Sequence, residues 1–391
     1  MSTRSSHSKK SKALREGFTT GSAAAAAARA AALFALTGNR PERVDIPLPP
    51  PHEGRLTISI ADVEKEALGV RAAVIKDGGD DPDATHGARI EAHVTLDPAF
   101  SGVGPHVLIG GGKGVGVATL PGLPVAVGQA AINPGPMEQI RASVLEVLPE
   151  DVKGVALVFI ELPAGEAIAK HPLNPRLGVT GGISILGTGG IVRPYSHEAW
   201  AECVRLGLDV ASAAGHSCVA LTTGRRSERL LQARFPFVPD ICLVQAADFF
   251  ADAMRDAAAR NFACVVWAMF PGKLVKQAQG FENTHARAAE LDFGLLARWA
   301  REAGADEAAA AAVAGANTAA QAFALLPRAV ALRLAADLAA RAGRAAQNHS
   351  GRALDVRHVL FDQDGGVLYA DDIPPALFSP CSPLHPETGS R

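Results

Sequence analysis

Apolar runs alternate with helix-like segments between residues 182 and 280, and that alternation most constrains the fold. GISILGT (182–188) leads through GGIVRP to SHEAWAECVRLGLDVASAAG. CVALTTG (218–224) leads to Arg225 and Arg226, ICLVQAAD (241–248) to FFADAMRDAAARN, and ACVVWAMF (263–270) to PGKLVKQAQG. Short buried strands alternating with helices predict a parallel, doubly wound sheet. A chain of 391 residues exceeds the usual single domain, so a second domain is expected.

The preceding half has a different grammar. Thr19, Thr20 and Ser22 are candidate caps for an Ala-rich helix over 22–36, which Gly38 stops. Its small side chains let another backbone approach closely. The runs VDIPL, RLTISIADV, GVRAAVIKD, RIEAHVTL, VLIGG and GVALVFIEL read as strands. Residues 110–136 form a Gly/Pro-rich stretch too long for a passive connector. The expected organisation is α/β (α+β): a polar tail at 1–12, an α+β domain at 13–165, a parallel-sheet α/β domain at 166–370 and a tail at 371–391. HPLNPRLG (171–178) marks the change of pattern. Residues 287–347 read as helical, and VRHVLFDQDGGVLYAD as a closing hairpin with a DGG turn.

The formal net charge of −2 gives no electrostatic support for nucleic-acid binding. Cys203, Cys218, Cys242, Cys264 and Cys381 form no CxxC and no zinc spacing, which fits a cytoplasmic location. The basic start followed by AAAAAARAAALFAL imitates a signal peptide, but Arg29 interrupts the run and its Ala content argues against export. No apolar stretch reaches the ~18 residues of a membrane span.

Several segments could carry chemistry. In GGISILGTGGIVRP the residues Gly181, Gly182, Gly187, Thr188, Gly189 and Gly190 offer backbone N–H groups to a ligand. A GxGxxG match fails there at Val192, and a plain tight turn is the alternative. Thr222, Gly224, Arg225 and Arg226 end another strand, and the arginines suit carboxylates. Lys273 begins a helix as a candidate anion contact, and His285 is a candidate proton carrier. Lys113 lies in a Gly-rich loop that is not a Walker A motif, because Gly114 follows it. KDGGDDPDATHG (76–87) fails both possible calcium-loop registers. Asp80 and Asp81 are its candidate functional carboxylates and His86 its candidate proton carrier. Asp83 and Thr85 are read as tying an Asx-turn. No metal site is expected.

Six stretches together resemble the cobalt-precorrin-5B C1-methyltransferase family of cobalamin biosynthesis. They are REGFTTGSAAAAAARAA, VIKDGGDDPDATHGARI, GGGKGVGVATLPGLPVAVGQAAINPGP, NPRLGVTGGISILGTGGIVRPYS, TTGRRSE and PGKLVKQAQGFENTHAR. The resemblance covers about residues 13–290. It implies methyl transfer from S-adenosylmethionine to C1 of a cobalt–tetrapyrrole (corrin) substrate. It also implies a ribosomal protein S5 domain 2-like first domain and a Rossmann-like second one. The donor would sit at the 181–190 turn and Thr222–Gly224. The anionic macrocycle would meet Thr19, Thr20, Lys113, Arg193, Arg225, Arg226, Lys273 and His285, with cobalt present only in the substrate. The chain departs from the family pattern at Ser22-Ala23, at AADFFADAM and at Phe270, where a histidine is common. A non-methylating tetrapyrrole carrier, a nucleotide-dependent transferase and metal-assisted hydrolysis by the Asp cluster stay open as alternatives, as does assembly into a homo-oligomer.

Overall fold

A computed structural model describes residues 14–97, 105–149, 154–170, 176–286, 288 and 290–380. The readings of 1–12 as a tail and of Cys381 lie outside them. The chain divides into two compact units, residues 1–119 with 124–196, and 120–123 with 197–391.

In the first unit, helix α1 (Thr20–Thr37) begins at an N-cap, Thr19, whose hydroxyl accepts from the Ser22 amide. It ends at Gly38, whose φ of 72° is the left-handed cap that glycine adopts without a Cβ penalty. Nine alanines of α1 are fully buried. They let α1 lie close to α2 (Pro134–Leu145) and to one face of a five-stranded sheet. The sheet order is β4 (Asp62–Glu66), β5 (Gly69–Ile75), β6 (Arg89–Asp97), β9 (Gly154–Glu161) and β7 (Pro105–Gly111). Only β7–β9 is parallel. The run RLTISIADV divides between β3 (Arg55–Ser59), which pairs with β2 (Arg43–Pro47), and β4. Two short pairs join β1 (Gly17–Phe18) to β11 (Ile191–Val192) and β8 (Val117–Ala118) to β10 (Val179–Thr180).

In the second unit, the sheet order is β13 (Leu243–Gln245), β12 (Cys218–Thr222), β14 (Cys264–Met269), β15 (Asp355–Phe361) and β16 (Val367–Ala370). The first four are parallel, and β16 returns antiparallel through the expected hairpin. Alternate residues enter two cores. Val219, Leu221, Val265 and Trp267 face one, while Cys218, Ala220, Cys264 and Val266 face the other. Burial on both faces is why these strands read as continuous apolar runs. Helices fill most of 293–350, as the Ala-rich pattern predicts.

Three expectations change. GISILGT is not a strand of the parallel sheet. Ile183 and Ile185 make single bridges to Val115 and Ile132 and are buried in the first unit's core. With only two alternating residues to bury and glycines at both ends, the run lacks the length and two-sided apolarity of CVALT. The boundary therefore falls after Ser196 rather than at 166. Residues 371–380 are not a tail either: Ile373 and Phe378 are buried against Phe361 and Val359, because two well-spaced apolar side chains suffice to close that core.

Replacing Ala27 by Leu should cost about 1–3 kcal/mol through overpacking. A lower urea midpoint with an unchanged m-value is expected; an unchanged midpoint would refute close packing of α1.

Candidate functional site

Two polar clusters, one in each unit, collect the candidate residues. The first forms where residues 15–22, 76–87 and 186–195 meet. The start of α1 exposes N–H groups that need acceptors, and the loop after Ile185 supplies them. The Gly21 amide donates to the Leu186 carbonyl at 3.2 Å and the Thr19 amide to that of Gly190 at 3.0 Å. The Thr20 hydroxyl donates to the Leu186 carbonyl and accepts from the Leu186 amide, at 3.0 and 2.9 Å. Thr19 and Thr20 are buried, so both hydroxyls serve this junction. The amides of Gly187, Thr188, Gly189 and Gly190 donate to no acceptor among the described residues. Gly181 and Gly182 lie at the other end of the same segment; a Cβ on Gly182 would strike the Gly114 backbone.

Gly17 and Gly79 cross backbone to backbone. A Cβ on either would strike the other strand's main chain, so only glycine permits the crossing. Around it, the Arg15 amide donates to Asp80 at 2.7 Å, and the Asp80 amide donates back to the Arg15 carbonyl at 2.9 Å. The Arg15 guanidinium pairs with Asp77. That bond first, and then the Gly79 amide, hold Asp77 below the usual carboxylate range. Asp81 accepts from the Tyr195 amide at 2.9 Å. Tyr195 has a φ of 57°, a costly conformation for a bulky residue. His86 accepts at Nδ1 from the Gly78 amide at 3.0 Å. Arg193 pairs with Glu16 at 3.2 Å. Lys113 is exposed, and its ammonium makes no ion pair among the described residues.

Beneath this surface Lys76, only 2% exposed, pairs with Asp83. Asp83 also accepts from the amide and hydroxyl of Thr85 at 2.7 and 2.6 Å, which is the expected turn. Burial alone would raise the Asp83 pKa, but the bonds from Lys76 and Thr85 outweigh it and bring the carboxyl below its ordinary value.

The second cluster is a cleft of about 610 Å³ at the carboxyl ends of β12 and β14. The chain leaves β12 for β13 on one side and returns to β14 on the other. Such a reversal opens a crevice at the strand ends. Gly224, with φ 148°, and Gly272 each face open space. They start the helices Arg225–Arg234 and Pro271–Ala278. Arg225, Arg226, Lys273 and Lys276 bring four cations to the lining. Arg226 stacks on Phe270, 4.9 Å from the ring centroid, and bonds the Gln363 carbonyl. Phe270 thus supplies an aromatic platform for that guanidinium. Thr222 is fully buried and its hydroxyl has no partner among the described residues.

Lys273 pairs with Asp248 and bonds the Thr284 carbonyl at 3.2 Å. Burial, then the neighbouring Lys276 ammonium, bring Lys273 down to about 8. His285 is exposed and is not among the residues lining the cleft; its carbonyl accepts from Lys276 at 3.4 Å. Sequence reading missed Asp248, although an acid directly after the run LVQAA was a usable signal. It also missed Asn317 and Thr318, which enter the lining from a helix–helix connection and carry no local signal.

For a metal, one group of described residues comes together: Glu91, His93 and Glu161, with ligand atoms within 4.8 Å of one another. They lie on the adjacent strands β6 and β9, which sequence spacing does not reveal. Arg71 and Arg89 each bond Glu91 at 2.6 Å. His93 Nδ1 lies 2.9 Å from Glu66. No described helix is long and apolar enough to cross a membrane.

The CbiD family model matches residues 7–194, and the model of the CbiD C-terminal domain matches 283–372. The chain is 51% identical to the cobalt-precorrin-5B C(1)-methyltransferase of Nitratidesulfovibrio vulgaris, over 91% of this chain and 92% of that protein. It is 44% identical to the enzyme of the same name from Geobacillus kaustophilus, over 91% and 94%. The chain belongs to the CbiD family. A solved structure of a cobalamin biosynthesis protein (cbiD) from Archaeoglobus fulgidus is 28% identical, with a TM-score of 0.38, over 68% of this chain and 80% of that one. The first family match ends two residues before the first unit does. The cleft residues of β12 to β14 lie between the two matched segments.

In this CbiD-family chain, Asp83→Asn should cost about 3 kcal/mol by leaving Lys76 buried and unpaired. A carboxyl depressed by folding contributes stability above its unfolded pKa and loses it as pH falls through the folded one. The gap in urea stability between wild type and variant should therefore narrow below about pH 4. A gap independent of pH would contradict the charged pair.

Proposed function

We propose that this chain methylates C1 of cobalt-precorrin-5B, using S-adenosylmethionine, to give cobalt-precorrin-6A. The observation that carries the reading is the 51% identity, across nearly the full length of both chains, to a protein bearing the C(1)-methyltransferase name. The finer fold reading, an S5 domain 2-like first unit and a Rossmann-like second unit, is part of the same proposal.

The reaction forms a carbon–carbon bond at C1 and breaks the sulfur–methyl bond. The electron pair returns to sulfur, leaving S-adenosylhomocysteine. Since the sulfonium is already an excellent leaving group, the protein's main task is to hold sulfur, methyl and ring carbon in line. The substrate carries several acetate and propionate carboxylates. Arg225, Arg226, Lys273 and Lys276 are chemically suited to them: guanidinium forks bind carboxylates bidentately, and ammonium groups add point charge. The same four cations make the cleft a poor environment for a sulfonium. The donor reading therefore leans on the amides of Gly187 to Gly190, which have no acceptor among the described residues and suit a carboxylate. Asp80, Asp81, His86, Lys113 and Arg193 are proposed contacts to the macrocycle or the donor's cationic groups. Thr19, Thr20 and His285 remain proposed substrate contacts, the threonines through the loop they anchor.

Protein incubated with methyl-labelled S-adenosylmethionine and cobalt-precorrin-5B should give label at C1. Binding of the corrin without label transfer would mean a carrier and sink the proposal. With Lys273 charged below about pH 8 and neutral above it, the KM for the corrin should rise as pH passes about 8. Lys273→Arg should remove that limb, since guanidinium stays charged. A limb that persists in Lys273→Arg would rule Lys273 out as its source.

A further inference from the structure

The loop after β13 and the segment after the helix Pro271–Ala278 are bolted together around one carboxylate. The Ala251 amide donates to the Glu282 carbonyl and the Thr284 amide to the Asp248 carbonyl, both at 2.9 Å. The Thr284 hydroxyl donates to Asp248 Oδ1 at 3.1 Å, the same oxygen that receives the Lys273 ammonium. Lys273 and Lys276 both reach the Thr284 carbonyl, at 3.2 and 3.1 Å. Two ammonium groups therefore share one carbonyl beside a cleft that also holds Arg225 and Arg226. Like charges so placed disfavour one another's charged form. Among the described residues, the charged and titratable groups that line the cleft with Lys273 or bond beside it are Lys276 on its own helix, Arg225 and Arg226 on the helix after β12, Asp248 after β13, and His285 beyond Thr284. Asp248 is the carboxylate of that set.

We propose that Asp248 is a positioning residue, whose carboxylate, fixed by Thr284, keeps the Lys273 ammonium charged and directed along the cleft wall for a carboxylate of the tetrapyrrole. The proposal rests on the cleft reading above and adds its control element. Thr284 sets the direction of the Asp248 carboxylate, and Asp248 offsets the repulsion from Lys276. Asp248→Asn keeps an acceptor oxygen for the Thr284 hydroxyl and removes only the charge.

The test separates the titration of Lys273 from catalysis. Competitive acetylation with acetic anhydride, quantified by peptide mass spectrometry across pH, reads the Lys273 midpoint with no substrate present. In Asp248→Asn that midpoint should fall by at least about one pH unit. The KM for cobalt-precorrin-5B at pH 7.5 should rise about threefold for a one-unit fall, and recover at pH 6. In Asp248→Asn/Lys273→Arg the rise should disappear, because guanidinium needs no neighbour to stay charged. An unmoved midpoint in a folded Asp248→Asn protein overturns the positioning role and leaves the cleft reading intact. A lowered midpoint with an unchanged KM overturns the cleft reading and the substrate half of this proposal with it. A KM rise that persists at pH 6 and in the double variant shows a merely structural defect and overturns the proposal.

Discussion

The start of α1 governs the first unit. A helix leaves its first N–H groups without intrahelical partners, and a buried start must find acceptors for them. Here Thr19 serves from within, while Leu186 and Gly190 serve from a segment more than 160 residues further along. The Ser22 hydroxyl adds a bond to the Gly190 carbonyl at 2.8 Å. That demand draws residues 183–195 onto the first unit. The glycine crossing at Gly17 and Gly79 then brings the aspartate turn to the same surface. Asp81 grips the Tyr195 amide there. Several of the Gly/Thr/Asp-rich stretches thus share one surface because they satisfy one another's backbone groups.

In the second unit the governing constraint is strand order. Parallel strands buried on both faces need helical crossovers, and the reversal between β13 and β14 leaves a crevice at the carboxyl ends. Two helices start there with glycines facing open space, and four cations gather around them. Desolvation and mutual repulsion work against that charge, most visibly at Lys273. Anionic groups would offset that repulsion, which makes such a cleft chemically suited to them.

Local features were legible in the sequence because their causes are local. Thr19 and Gly38 bound α1 through bonds to residues three or four positions away. The Asp83–Thr85 turn closes within two residues, and β15 and β16 meet across a short glycine turn. CVALT and CVVWAM read as buried strands because every residue in each is buried. The partnerships that build the clusters were not legible. Arg15 meets Asp77 across 62 positions and Lys273 meets Asp248 across 25; no periodicity encodes either. Residues 371–380 misled because proline and polar content resemble a tail until Ile373 and Phe378 find a core.

By itself, the sequence determined which segments are helices, strands and tight turns in most of the chain, the parallel character of the second sheet, and the family to which the chain belongs. It did so because hydrophobic period, capping chemistry and glycine placement act over a few residues. The tertiary structure alone decided that GISILGT joins the first unit, that Phe270 carries a guanidinium, and that Asp248 pairs with Lys273. Those outcomes depend on which buried groups find partners across long separations, a competition settled only when the chain has closed on itself.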